Sequence, residues 1–130
     1  LMDIVLQHDP HGYYMMNIVD YLVGNTDRHW GNWGFWVDNA NNKLGKLHPL
    51  MDFNRSFRSY DSLEGARCLT AMGAVSQKDA AVEAVKAIGL CQIRALPDDL
   101  VKLFCNINKL FGARLDHMFG QRLALLQRTV

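Results

Sequence analysis

Apolar residues recur along this chain with a period that changes from one stretch to the next, and turn-forming clusters mark the changes. Tyr14, Ile18, Tyr21 and Leu22 stand three and four residues apart, the spacing of one apolar stripe on a helix. That helix is predicted to begin near Tyr13, after a turn cluster Asp9-Pro10-His11-Gly12 that closes a short apolar piece, and to stop at Gly24-Asn25, both of which tolerate left-handed backbone. From Trp33 to Asp38 bulky apolar residues alternate with glycine, Asn39 to Asn42 are turn formers, and Leu44 to Phe53 is a second apolar run. This pattern predicts a β-hairpin with a longish loop.

Downstream the period lapses from Asn54 to Val75, where Ser56, Ser59, Tyr60 and Ser62 lie among mixed charges and at most a helical turn is expected. Ser76-Gln77-Lys78-Asp79 resembles a capping box, and Ala80, Ala81, Val82, Ala84, Val85, Ala87 and Ile88 follow before Gly89, predicting a short, tightly packing helix. Pro97 suits a first helical turn, Asp98 and Asp99 favour its positive end, and Leu100, Leu103, Phe104, Ile107, Leu110 and Phe111 make one apolar face. The stripe resumes after Gly112 with Leu115, Met118, Phe119, Leu123 and Leu126, as one long helix or as two broken at Gly112. The fold class expected is α+β, mainly helical, with one hairpin, and residues 1–130 form a single domain.

Fourteen basic residues against 13 acidic ones leave no footprint for a polyanion, so direct nucleic-acid binding is not expected. Trp30, Trp33 and Trp36 are accordingly expected to pack the core and hairpin rather than to stack on bases. Cys68, Cys91 and Cys105 are odd in number and lack C-x-x-C spacing, which argues against a disulfide framework and a structural zinc site and for a reducing cytoplasm. No apolar run approaches about 18 residues and no signal-peptide pattern is present, so a soluble chain without a membrane partner is expected.

The chemistry-bearing residues gather in Gly24-Asn25-Thr26-Asp27-Arg28-His29-Trp30-Gly31-Asn32 and in Leu47-His48-Pro49-Leu50-Met51-Asp52-Phe53-Asn54. Asp27 precedes Asn32 by the Asp-x-x-x-x-Asn interval of the kinase catalytic loop, and Asp52-Phe53-Asn54 stands where such enzymes carry Asp-Phe-Gly. Phosphoryl transfer to a hydroxyl asks for such a set, because the protein must orient the OH and hold Mg²⁺ against the phosphates with hard oxygen ligands. Asp27 is the candidate proton acceptor, and Asn32 and Asp52 are the candidate ligands of Mg²⁺ or Mn²⁺. A hairpin would bring the last two together, one before the outgoing strand and one closing the returning strand. At the end of a buried strand a carboxylate is costly without a cation, and the metal supplies one.

Protein kinases of the common type place His-Arg before the catalytic Asp, whereas Arg28 and His29 follow it here. The permuted order resembles the phosphoinositide lipid kinases and, more closely, the bacterial HipA-like serine/threonine kinases, whose loop reads Asn-Thr-Asp-x-His-x-x-Asn as Asn25 to Asn32 do. The resemblance covers roughly Ile18 to Phe57. It implies a kinase-like C-terminal lobe whose hairpin carries the metal site, ATP as phosphate donor, a protein Ser or Thr as substrate, and Asn25 and His29 as supporting loop residues. Residues 54–75 would then be the equivalent of an activation segment. No glycine-rich phosphate loop and no strand lysine of the Val-Ala-Ile-Lys kind occurs, so an N-terminal lobe is expected in a larger protein. By itself the 130-residue chain is expected to fold, to bind ATP weakly and to transfer no phosphate.

Other residues receive plainer expectations. His29 should bond loop backbone or Asp52, Arg28 should point to solvent or pair locally, and His11 and His48 should be ordinary. Asn54 replaces the glycine of Asp-Phe-Gly, which casts little doubt on the site because Asn tolerates positive φ. Two other functions compete: a non-catalytic interaction module, either a pseudokinase or a truncated docking lobe, and a metal-dependent phosphohydrolase using Asp27, His29, His48 and Asp52. The phosphohydrolase needs a denser ligand cluster.

Overall fold

The computed structural model describes residues 2–57, 62–89 and 113–129. Among them the order is helix α1 (Met2–His8), helix α2 (Pro10–Val23), a 3-10 turn at Trp30–Asn32, strands β1 (Phe35–Asp38) and β2 (Lys43–Leu47), a 3-10 turn at Leu69–Ala71, helix α3 (Gln77–Ile88) and helix α4 (Ala113–Arg128). The described residues are thus mainly helical with one antiparallel hairpin. Ser59 and Tyr60, Cys91 and Cys105, the helix expected from Pro97 and the break at Gly112 lie outside the described residues.

The cluster Asp9-Pro10-His11-Gly12 is the first turn of α2 and not a separate turn. Proline at the start of a helix forfeits no hydrogen bond, and the Asp9 carboxylate caps the helix by accepting from Gly12 N at 2.9 Å. Its second oxygen accepts from Leu47 N at 2.9 Å, so one side chain both starts α2 and moors the hairpin to it. A Cβ at Gly12 would stand 2.5 Å from Asp9 Oδ2, which keeps that position glycine. At the far end Gly24 takes a left-handed φ of 66° and closes the helix where the sequence places its stop.

Buried Ile18, Tyr21 and Leu22 of α2 meet Ala81, Ala84 and Val85 of α3 and Leu126 of α4 in one cluster, the small alanines letting α2 and α3 approach closely. Val5, Tyr13 and Met16 form a second cluster against Trp33, Phe35, Leu47 and Leu50, which seats the base of the hairpin. Each large apolar side chain so buried stabilises the fold by roughly 1.5–3 kcal/mol. Arg122 of α4 is buried, donates to the carbonyls of Tyr21 and Ser62 at 2.5 Å each, and lies over the Tyr21 ring at 4.7 Å. A cation is favoured there by the negative end of the α2 dipole, where the Tyr21 carbonyl lies. Helix α3 starts with Ser76 accepting from Asp79 N at 3.1 Å and ends at Gly89, as its sequence predicts.

In the hairpin Phe35 pairs with Leu47, Val37 with Leu44 and Asp38 with Lys43, with a register irregularity between Phe35 and Val37. The apolar run Leu44 to Phe53 overstates the second strand, which stops at Leu47. His48 N still donates to Gly34 O at 2.8 Å, but Pro49 has no N–H to continue the ladder. No helix among the described residues is long and apolar enough to cross a membrane.

Candidate active site

The loop from Gly24 to Asn32 leaves the end of α2 and is held from beneath by amides. Asn25, 1% exposed, donates through Nδ2 to Asp20 Oδ1 at 3.1 Å, accepts through Oδ1 from Asp27 N at 3.2 Å, and offers its carbonyl to Gln77 Nε2 at 2.6 Å. Gln77 is the first residue of α3, so the loop is braced by a second helix. Asn32, also buried, donates through Nδ2 to the Asp27 carbonyl at 2.7 Å. Two asparagines therefore grip the main chain of Asp27 on both sides, and its carboxylate is left 34% exposed. The guanidinium of Arg55, itself largely exposed, approaches that carboxylate to 3.9 Å.

Of the two expectations for Arg28, pairing rather than solvent exposure describes it. It is 3% exposed, and its Nε and Nη2 donate to Asp20 Oδ2 and Oδ1 at 2.8 Å each, a two-pronged pair with matched geometry. Its remaining nitrogen, Nη1, donates to the carbonyls of Asn32 at 2.9 Å and Met51 at 2.5 Å, and the Phe53 ring lies on the guanidinium at 4.8 Å. The reason sits on α2: Asp20 faces the buried side of the helix, where an unpaired carboxylate would be very costly, and Arg28 is the cation that satisfies it. Sequence reading missed this pair. Its signal was Asp20 at four residues after Met16 and seven after Tyr13, on the helix face that packs under the hairpin, where a charge demands a partner.

His29 is exposed, and its Nδ1 accepts from Gly31 N at 3.0 Å, capping the 3-10 turn that carries Asn32. Its bond is thus to loop backbone and not to Asp52. His48 meets the Pro49 carbonyl at 2.8 Å and packs on Trp36. Of the three tryptophans, Trp33 packs against the cluster at the base of the hairpin, while Trp30, stacked on Trp33, and Trp36 are more than half exposed. The expectation of core and hairpin packing therefore describes Trp33 and overstates the burial of the other two.

Asp52 does not close a buried strand. It lies beyond the end of β2, is exposed, and takes a left-handed φ of 54° with only a long contact of 3.5 Å from Asn54 N to its Oδ1. Burial therefore demands no cation at Asp52, because its carboxylate is open to water. The donor set can be judged on its chemistry instead. With Nδ2 committed to Asp27, Asn32 has its amide oxygen left, and Asp52 adds carboxylate oxygens; both are hard donors. Mg²⁺ is usually held by one or two such groups with water and substrate phosphate completing its shell, so these residues fit that ion. No group of three His, Cys, Asp or Glu side chains able to hold a metal occurs among the described residues, which removes the denser cluster that a phosphohydrolase reading needs.

Compared with protein-family models, with curated proteins and with solved structures, the chain matches none.

Proposed function

We propose that this chain is the catalytic lobe of an ATP-dependent phosphotransferase, a protein serine/threonine kinase of the HipA-like type. The observation that carries the reading is the double grip on Asp27, whose N–H and carbonyl are held by Asn25 and Asn32 while its carboxylate faces outward. A general base must be held still and yet be reachable, and this loop meets both conditions. Asp27 accepts the proton of the substrate hydroxyl as its oxygen bonds to the γ-phosphorus and the bond to the ADP leaving group breaks. Asn32 and Asp52 would hold Mg²⁺ or Mn²⁺, and the ion, when bound, supplies positive charge to the phosphate oxygens. His29 and Asn25 keep the loop in shape through their backbone contacts. The choice of a protein Ser or Thr as acceptor rests on the resemblance of Asn25 to Asn32 to the HipA-like loop.

The test is radiolabel transfer from γ-labelled ATP to generic protein substrates, made on the protein expressed from its whole reading frame, parent against Asp27→Asn, with Mg²⁺ and Mn²⁺ in turn. Transfer lost in the variant supports the reading. Transfer equal in both, or none in the parent with either ion, overturns it.

A further inference from the structure

We infer that Arg28 is a positioning residue that sets the separation of Asn32 and Asp52, so that one divalent cation meets both side chains. The inference rests on the metal reading above and goes beyond it, because nothing in the kinase-like spacing assigns Arg28 a part. The hairpin between residues 32 and 52 cannot fix their distance, since its ladder ends at Leu47 and His48 and residues 49–52 run free of it. Arg28 does what the sheet leaves undone. One nitrogen, Nη1, donates to the carbonyl of Asn32 and to that of Met51, the residue directly before Asp52. Phe53, directly after Asp52, covers the same guanidinium. The opposite edge of the group is forked onto Asp20, a buried residue of helix α2. Leu50 packs the same segment against Val5, Tyr13 and Met16, and Arg28 adds the contact that ties residues 32 and 51 to each other and to α2. A lysine cannot substitute, because its one nitrogen cannot span Asp20 and both carbonyls at once.

The experiment uses the 130-residue chain and compares the parent with Arg28→Lys and Phe53→Leu. Hydrogen exchange of residues 50–54 reads the tie itself, Mn²⁺ titration followed by electron paramagnetic resonance reads the candidate site, and thermal melting reads the fold. Phe53 is 37% exposed, so Phe53→Leu keeps the chain folded if Arg28→Lys does not. The expected result is faster exchange at residues 50–54 in both variants with exchange in α3 unchanged, and Mn²⁺ affinity lower by about tenfold in Arg28→Lys, the low end of what outer supporting groups contribute to metal sites, with a smaller loss in Phe53→Leu. Exchange and affinity both unchanged in folded variants would overturn the inference. Mn²⁺ bound equally well by parent and variants would overturn it while sparing the metal reading. A parent that binds no Mn²⁺ would overturn the metal reading and reduce Arg28 to a structural tie.

Discussion

The side-chain amide of Asn32 donates to the main-chain carbonyl of Asp27 at 2.7 Å, so the candidate metal ligand and the candidate base are joined by a hydrogen bond. The bond orients Asn32. With its nitrogen turned to Asp27, the side chain can present only oxygen elsewhere, and a flip of the amide would set two oxygens against each other.

Asn32→Asp therefore separates two expectations. Counting ligands alone, a carboxylate should bind a divalent cation more tightly than an amide does. The bond to Asp27 says the reverse, because aspartate has no donor for that carbonyl and would repel it in a buried position. Mn²⁺ affinity is expected to fall by about tenfold, the scale of a lost supporting bond at a metal site. Stability should fall by roughly 1–3 kcal/mol from the unsatisfied acceptor, read by urea unfolding. Affinity that rises instead would show that Asp27 does not orient Asn32.

Asp27→Asn should leave the fold nearly intact. The bonds that hold residue 27 use its main chain, and its carboxylate is engaged only by the exposed Arg55 at 3.9 Å among the described residues. Exposed pairs of this kind contribute about 0–1 kcal/mol. Unfolding free energy should change by no more than that, while transfer by the protein from its whole reading frame drops by about 10²–10⁴, the usual contribution of a positioned base. A variant that unfolds readily would make Asp27 a structural residue.

What the sequence made legible was local. Gly24 ending α2, Ser76 and Gly89 bounding α3, and the turn formers Asn39 to Asn42 joining the strands all act through their own backbone or that of near neighbours. Asp9-Pro10 was ambiguous in kind, since the same dipeptide suits a turn and a helix start; burial of Tyr13 and Met16 and the bond to Leu47 N select the helix. The second strand is shorter than its apolar run because such a run fixes neither burial nor hydrogen bonding: Leu44, Met51 and Phe53 are exposed, and Pro49 ends the ladder. The partners of Arg28 were less legible for a different reason. Its partners are Asp20 on a preceding helix and Met51 beyond a hairpin, so its role exists only once the chain has folded.

Tyr21 should make the protein sensitive to alkali. Burial, partly opposed by Arg122 and reinforced by Glu64, pushes its phenol up to about 12, and its hydroxyl donates to Leu63 O at 2.7 Å. An unfolded tyrosine loses its proton near pH 10. Below that pH both states are neutral and the contribution is fully present; between about 10 and 12 only the unfolded chain ionises, and stability is lost by up to about 1.4 kcal/mol per pH unit. Urea midpoints between pH 8 and 12 should fall less steeply in Tyr21→Phe than in the parent. Some slope should persist, because burial also raises Tyr13. Equal slopes in the two proteins would locate the sensitivity elsewhere.

Asp52 permits the sharpest separation of fold from function. Its φ of 54° lies in the left-handed region, which disfavours side chains by about 1–2 kcal/mol per residue, with Asp and Asn tolerating it best. The long contact from Asn54 N at 3.5 Å is too weak to offset that strain. Asn42, Phe57 and Met72 take similar angles, so the conformation by itself assigns Asp52 no role, and stability and metal binding must be read separately. Glycine would relieve the steric strain but forfeit about 0.5–1 kcal/mol of backbone entropy, so Asp52→Gly should unfold close to the parent. Asp52→Asn should do the same, whereas Asp52→Ala, with a Cβ and no local polar group, should be about 1 kcal/mol less stable than either. Metal binding should follow another order. Asp52→Gly and Asp52→Ala lose Mn²⁺ alike, and Asp52→Asn, which keeps one neutral oxygen, falls between them and the parent. Chemical denaturation and Mn²⁺ titration on the same four proteins would check both rankings, and Asp52→Gly retaining parental Mn²⁺ affinity would remove Asp52 from the candidate site.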